Sequence, residues 1–197
     1  MEIEVGRIIR SSTTRFTVGC RVLRPQVPAF GALVKVPAMQ VDEVFGLIYD
    51  VCMEDDPFVR QMAVADGGPW PESVEDMRRR LAPIEVAVLV VGYRQAGVIY
   101  QRLPPQPPLS LDTIHTCLPE EVAAFTGRFD YFRLVVDNRD LPADELLATS
   151  LRSAAQARGP AERDFLVDAG RELARLLATD LPRLDGILRR LRPDGNA

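Results

Sequence analysis

The first half of the chain alternates apolar and polar residues with the two-residue period of strands, whereas the second half follows the 3.6-residue period of helices. Glu2 to Ile9 alternates, Arg15 to Leu23 places Phe16, Val18, Cys20 and Val22 on one face, and Ala32 to Val36 is a short apolar run after Gly31. These predict three strands. Glu43 to Cys52 contains Val44, Phe45, Leu47, Ile48, Tyr49 and Val51, too apolar for simple alternation, and predicts a strand buried on both faces. Gly46 inside it predicts a bulge or bend of the kind small barrels need to close.

Asp56-Pro57 changes the texture: an acid before proline starts a helix, and Phe58, Met62 and Ala65 follow at helical spacing. Gly67-Gly68-Pro69-Trp70-Pro71 interrupts it, and Glu72 to Leu81 predicts a second short helix, acidic early and ending in Arg78, Arg79 and Arg80. Residues 55–82 therefore read as a helical insertion. Strand character returns over Ile84 to Arg94, the most β-branched run in the chain, and over Val98 to Leu103 after the turn Gln95-Ala96-Gly97. Pro104, Pro105, Pro107 and Pro108 form an extended strap, and Thr113 to Cys117 is a candidate closing strand.

From Pro119 the signals are helical: Glu120 to Phe125, Tyr131 to Val136, Ala143 to Ala157, Ala161 to Ala178 and Leu181 to Leu191. Phe165, Leu166, Ala169, Leu173, Leu176 and Leu177 form one apolar stripe, which Leu181, Leu184, Leu188 and Leu191 extend. The stripe reads as core ahead of an association surface, because a barrel this small exposes apolar walls that helices cover. Asp180 can cap the last helix afresh, or Pro182 can kink one long helix. The expected fold class is α+β: a small, mostly antiparallel β-barrel over 1–118, with its helical insertion at about 55–82, then a helical region over 119–197 with its last few residues disordered.

The N-terminal pattern resembles the HAS barrel shared by HerA-type DNA translocases and rotary ATP synthase subunits. The likeness rests on Gly6-Arg7-Ile8-Ile9, the Phe16 to Val18 strand, Gly31-Ala32-Leu33-Val34-Lys35-Val36 and Val44-Phe45-Gly46-Leu47-Ile48. Val88-Leu89-Val90-Val91-Gly92-Tyr93 followed by Pro104-Pro105-Gln106-Pro107-Pro108 is similar to the strand and proline strap that end such barrels in HerA-like proteins. Relatives place an ATPase domain after the barrel. No GxxxxGK[ST] loop follows Cys117 here, so the backbone cradle for phosphate is missing and ATP hydrolysis is not carried over. The resemblance implies a docking or oligomer-organising module.

Composition narrows the chemistry. With 47% hydrophobic and 26% charged residues over 197 positions, the balance is that of a globular protein that needs no disulfide staples. A net charge of −4 gives no global attraction for nucleic acid. Cys20, Cys52 and Cys117 are odd in number and form no CxxC, which points to a reducing compartment. With no signal-like start and no apolar run near the ~20 residues of a membrane span, the expected location is the cytoplasm, away from membranes.

The sole histidine, His115, with the three cysteines has the atoms of a Cys₃His zinc site but not the spacing, so no metal and no cofactor are expected. A Cys117 nucleophile with His115 as base lacks an orienting third group. Glu54-Asp55-Asp56 and Glu120-Glu121 adjoin prolines at helix starts, where capping accounts for them more simply than metal binding. Trp70 with Arg78, Arg79 and Arg80, and Arg189 with Arg190, are the candidate contacts for a partner or nucleic acid. The leading expectation is a non-enzymatic assembly module that docks to a ring ATPase or a DNA-processing nuclease, with homo-oligomerisation open. One alternative is an OB-like barrel that stacks single-stranded nucleic acid on Tyr49, Tyr93, Tyr100 or Phe16. Another is a metal-dependent nuclease using Asp55 or Asp56.

Overall fold

The computed structural model describes residues 2–20, 29–53 and 84–191. Seven strands come first: β1 (Glu4–Ser11), β2 (Arg15–Cys20), β3 (Leu33–Pro37), β4 (Glu43–Met53), β5 (Ile84–Gln95), β6 (Val98–Tyr100) and β7 (Thr113–Thr116). Five helices follow: α1 (Pro119–Phe125), α2 (Phe132–Val136), α3 (Ala143–Gln156), α4 (Glu162–Leu176) and α5 (Leu181–Leu191). Six strands close a barrel in the order β1-β7-β3-β4-β5-β2, with β2 returning to β1 and every pairing antiparallel. The expected α+β class is observed. β7 closes the barrel as its sequence suggested, by pairing with both β1 and β3.

The barrel is narrow, so its interior is filled by compact branched side chains. Ile8, Val18, Val34, Val36, Val44, Ile48, Val86, Val88, Val90 and Ile114 are fully enclosed there. The same strands carry a second apolar set on the outside: Leu33, Phe45, Leu47, Leu89 and Val91 face outward and pack with the helices into a separate core. β4 and β5 are therefore buried on both faces. The register of β4 against β5 shifts between Phe45 and Gly46. A Cβ on Gly46 would lie 2.3 Å from Val88 Cγ1, so the bend of the barrel wall requires glycine.

The helical layer follows the apolar stripe, with Phe165, Ala169, Leu173, Leu177, Ile187 and Leu191 buried in the outer core. Leu181 departs from the expectation, because it is the first residue of α5 and lies largely exposed ahead of the turn that faces the core. Between α4 and α5 the chain breaks rather than kinks: Asp180 Oδ1 accepts the Arg183 N–H at 3.2 Å and caps α5 afresh.

Ala96 and Gly97, at φ 49° and 77°, form the two-residue turn between β5 and β6. β6 stops at Tyr100, shorter than its apolar pattern suggests, because Gln101 turns to the helices. Its amide nitrogen donates to Phe125 O and Arg128 O, and its oxygen accepts the Tyr131 N–H at 3.2 Å. Among the described residues no helix is long and apolar enough to cross a membrane. The expected insertion at 55–82 and the C-terminal tail beyond Leu191 lie outside the described residues.

Candidate functional site

Lys35 on β3 is the single lysine of the chain, and it is caged by carboxylates from β4, α1 and the segment before β1. Its Nζ donates to Glu121 Oε1 on α1 and lies 3.2 Å from Glu2 Oε1 and 3.6 Å from Glu43 Oε1 on β4. Arg94 on β5 adds Nη1 at 2.8 Å from Glu43 Oε2 and sits over the Phe45 ring. Burial on its own would lower the lysine, but its hydrogen bonds to Glu121 and Glu2 and the field of Glu43 hold it above its ordinary range. Burial would raise Glu121, yet Lys35 and the Leu118 N–H hold it below. A lysine kept charged in this way is no nucleophile. It ties α1 to the barrel, and Glu121 serves both as the expected cap of α1 and as one side of that tie.

A second polar cluster lies beneath the helices. Arg158, after α3, donates to Ala154 O, Ala123 O and Thr126 Oγ1 at 2.8–2.9 Å, and its guanidinium stacks 3.8 Å from the Phe165 ring centroid. Tyr131 is buried close by against Phe125 and Phe132. Burial pushes its phenol up despite the Arg158 charge. Both groups knit helices together and face no open cleft.

Of the four expected stacking residues, Tyr93 and Tyr100 stack on each other. Phe16 is inside the barrel, and Tyr49 packs beside the outer core. Tyr93 lies parallel to Tyr100 with ring centroids 5.2 Å apart, and the Arg102 guanidinium lies 4.8 Å from the Tyr100 centroid while its Nε donates to Tyr93 Oη. Beside them Pro104 and Pro108 of the strap are buried, while Pro105 and Pro107 point to solvent.

Of the predicted contact residues, Trp70, Arg78, Arg79 and Arg80 lie outside the described residues, as do Glu54, Asp55 and Asp56. Arg189 and Arg190 are on α5 and make exposed ion pairs within the chain: Arg189 pairs with Asp185, and Arg190 Nε donates to Glu145 Oε2 at 2.7 Å. Arg183 pairs with Asp144 at 2.7 Å. The open groove between α3 and α5, about 730 Å³, is lined by Arg139, Arg183 and Arg190 and by Asp137, Asp144 and Glu145, so its charge is balanced. Burial, with Glu121 nearby, pushes the Cys117 thiol up, the opposite of nucleophile activation. Among the described residues no three His, Cys, Asp or Glu side chains are grouped to hold a metal ion.

The barrel wall turned away from the helical core carries a feature that alternation alone does not predict. Ile8 pairs with Val18 and Arg10 with Thr17, so Ile9 is an extra residue bulged out of β1; it is 51% exposed. Leu111 N–H donates to Ile8 O at 2.8 Å, which sets Leu111 beside the bulge. Leu111 is 68% exposed and adopts φ 73°, a left-handed conformation that costs a branched residue about 1–2 kcal/mol. Leu109, half exposed, completes the patch, and Arg7 Nη1 donates to Leu111 O at 3.1 Å. The signal for this site was the doublet Ile8-Ile9, because two adjacent isoleucines on one strand cannot both point inward.

No family model matches the chain, and a search of the curated proteins found no match.

Proposed function

We propose that this chain is an assembly module, a HAS-like barrel that docks to a ring ATPase or translocase, or to a DNA-processing nuclease, and contributes no catalytic group of its own. The observation that carries the reading is the division of the barrel's surface. Its interior is filled by its own valines and isoleucines and leaves no room for a ligand, so the barrel acts through its walls. One wall is committed to the chain's own helices through Phe45, Leu47, Leu89 and Val91. On the other, Ile9, Leu109 and Leu111 stand in solvent, Ile9 on a bulge and Leu111 on left-handed backbone. Sites of strain and of exposed aliphatic clusters are where interaction surfaces concentrate.

The HAS resemblance of the strand pattern, and the missing phosphate loop, supply the class of partner: a motor or nuclease carried on a separate chain. Affinity capture from the native cell after mild cross-linking tests the reading. Recovery of an ATPase or nuclease in stoichiometric amount is the expected result. A stable monomer with neither partner would overturn it.

A further inference from the structure

We infer that the open wall of the barrel, centred on Ile9 and Leu111, is the docking face for an acidic, apolar segment of a partner protein; this rests on the assembly reading above and names its surface and chemistry. Two independent backbone devices display aliphatic side chains at adjacent positions. A bulge turns Ile9 out from β1, and its side chain covers Gly19 of β2, where an added Cβ would sit 3.2 Å from Ile9 Cγ2. A left-handed backbone turns Leu111 out beside it, although Leu111 packs into neither core. Glycine would hold that conformation without strain, so the leucine is not there for the fold.

Charge selects the partner. Arg7 and Arg10 flank the patch, both exposed, and among the described residues neither is paired with a carboxylate. Asp112, the nearest acid in the loop, accepts the Leu109 N–H at 3.0 Å and keeps its charge, so the two arginines outweigh it by one. Glu4 lies at the far end of β1, opposite His115. The face is thus a basic island on a chain of net charge −4. Isoleucine and leucine offer no π-face to a base, which favours a protein over single-stranded nucleic acid. β1 is paired along both edges, so the partner is recognised through side chains rather than by adding a strand. An amphipathic helix with leucines on one face and acids at its margins fits this surface.

The test uses the full chain, labelled with ¹⁵N, and two synthetic amphipathic helices that share their leucines and carry either glutamate or lysine at the polar positions. The glutamate peptide is expected to shift the amides of residues 7–11 and 109–112 and to bind at least tenfold more tightly than the lysine peptide. Ile9→Ser and Leu111→Gly are each expected to weaken binding at least tenfold, while the dispersed spectrum of the folded chain persists. Equal binding of the lysine peptide, shifts confined to other elements, or no binding of the glutamate peptide would each overturn the inference. Self-association of the chain that the same variants abolish would assign the face to a second copy and overturn it too. Should the peptide fail while an ATPase or nuclease is still captured from the cell, only this surface is wrong; should nothing be captured, the assembly reading itself falls.

Discussion

The two walls of the barrel are built from neighbouring strands, yet they obey different rules. On the β4–β5 wall the large outward side chains pack with the helices: Phe45 lies against Phe125 with ring centroids 5.0 Å apart, and Leu47, Leu89 and Val91 join the same core. On the β1 wall the outward apolar residues meet solvent, and two of them sit on irregular backbone. The first wall stabilises the fold. On the second, the left-handed backbone of Leu111 costs stability while its side chain packs into neither core, and Ile9 covers only Gly19 of β2.

Substitutions can break or sharpen that contrast. The largest effect belongs to the covered wall: Phe45→Ala empties a fully buried ring site and is expected to cost about 3–5 kcal/mol in urea denaturation. Next is the tie between the wall and the helical layer. Lys35→Met leaves Glu2, Glu43 and Glu121 facing one another and is expected to cost about 1–3 kcal/mol at pH 7. Because Glu121 is held below the ordinary carboxylate range, its contribution is present above that range and is lost as the pH falls through its lowered value. Lys35, held high, contributes fully below its own ordinary range and loses that only in strong alkali. The deficit of Lys35→Met, measured by urea midpoints across pH, is therefore expected to shrink in acid. On the open wall the sign reverses. Leu111→Gly removes left-handed strain and is expected to stabilise the chain by about 1 kcal/mol. Thermal denaturation of the variant checks it, and a loss of stability would show that Leu111 has an internal role.

Much of this fold was legible in the strand pattern, because a barrel wall buried on both faces leaves an unbroken apolar run. Val44 to Ile48 and Val86 to Val91 carry that signature, and Gly46 marks the bend because no other residue clears Val88. Pro104–Pro108 lie outside any helix or strand, as four prolines in five residues require, and the closing strand at Thr113–Thr116 was readable as well. The Lys35 cage was not. Its acids come from positions 2, 43 and 121, and only the closure of the barrel brings them together. The pairing of Arg189 and Arg190 was only half legible: Asp185 stands one turn before Arg189 on α5 itself, but Glu145 meets Arg190 only once α5 lies beside α3. Leu111 carried no warning, because nothing in a leucine announces a left-handed backbone, whereas the Ile8-Ile9 doublet was a visible break in alternation that a strict two-residue period could not accommodate.

The division of the barrel into a structural wall and a proposed docking wall is tested most directly by comparing the native chain with the double variant Ile9→Ser/Leu111→Gly in capture from the native cell, after confirming that both are fully folded. The expected result is that the native chain retains an ATPase or nuclease that the double variant loses. Equal recovery by both chains would contradict the account.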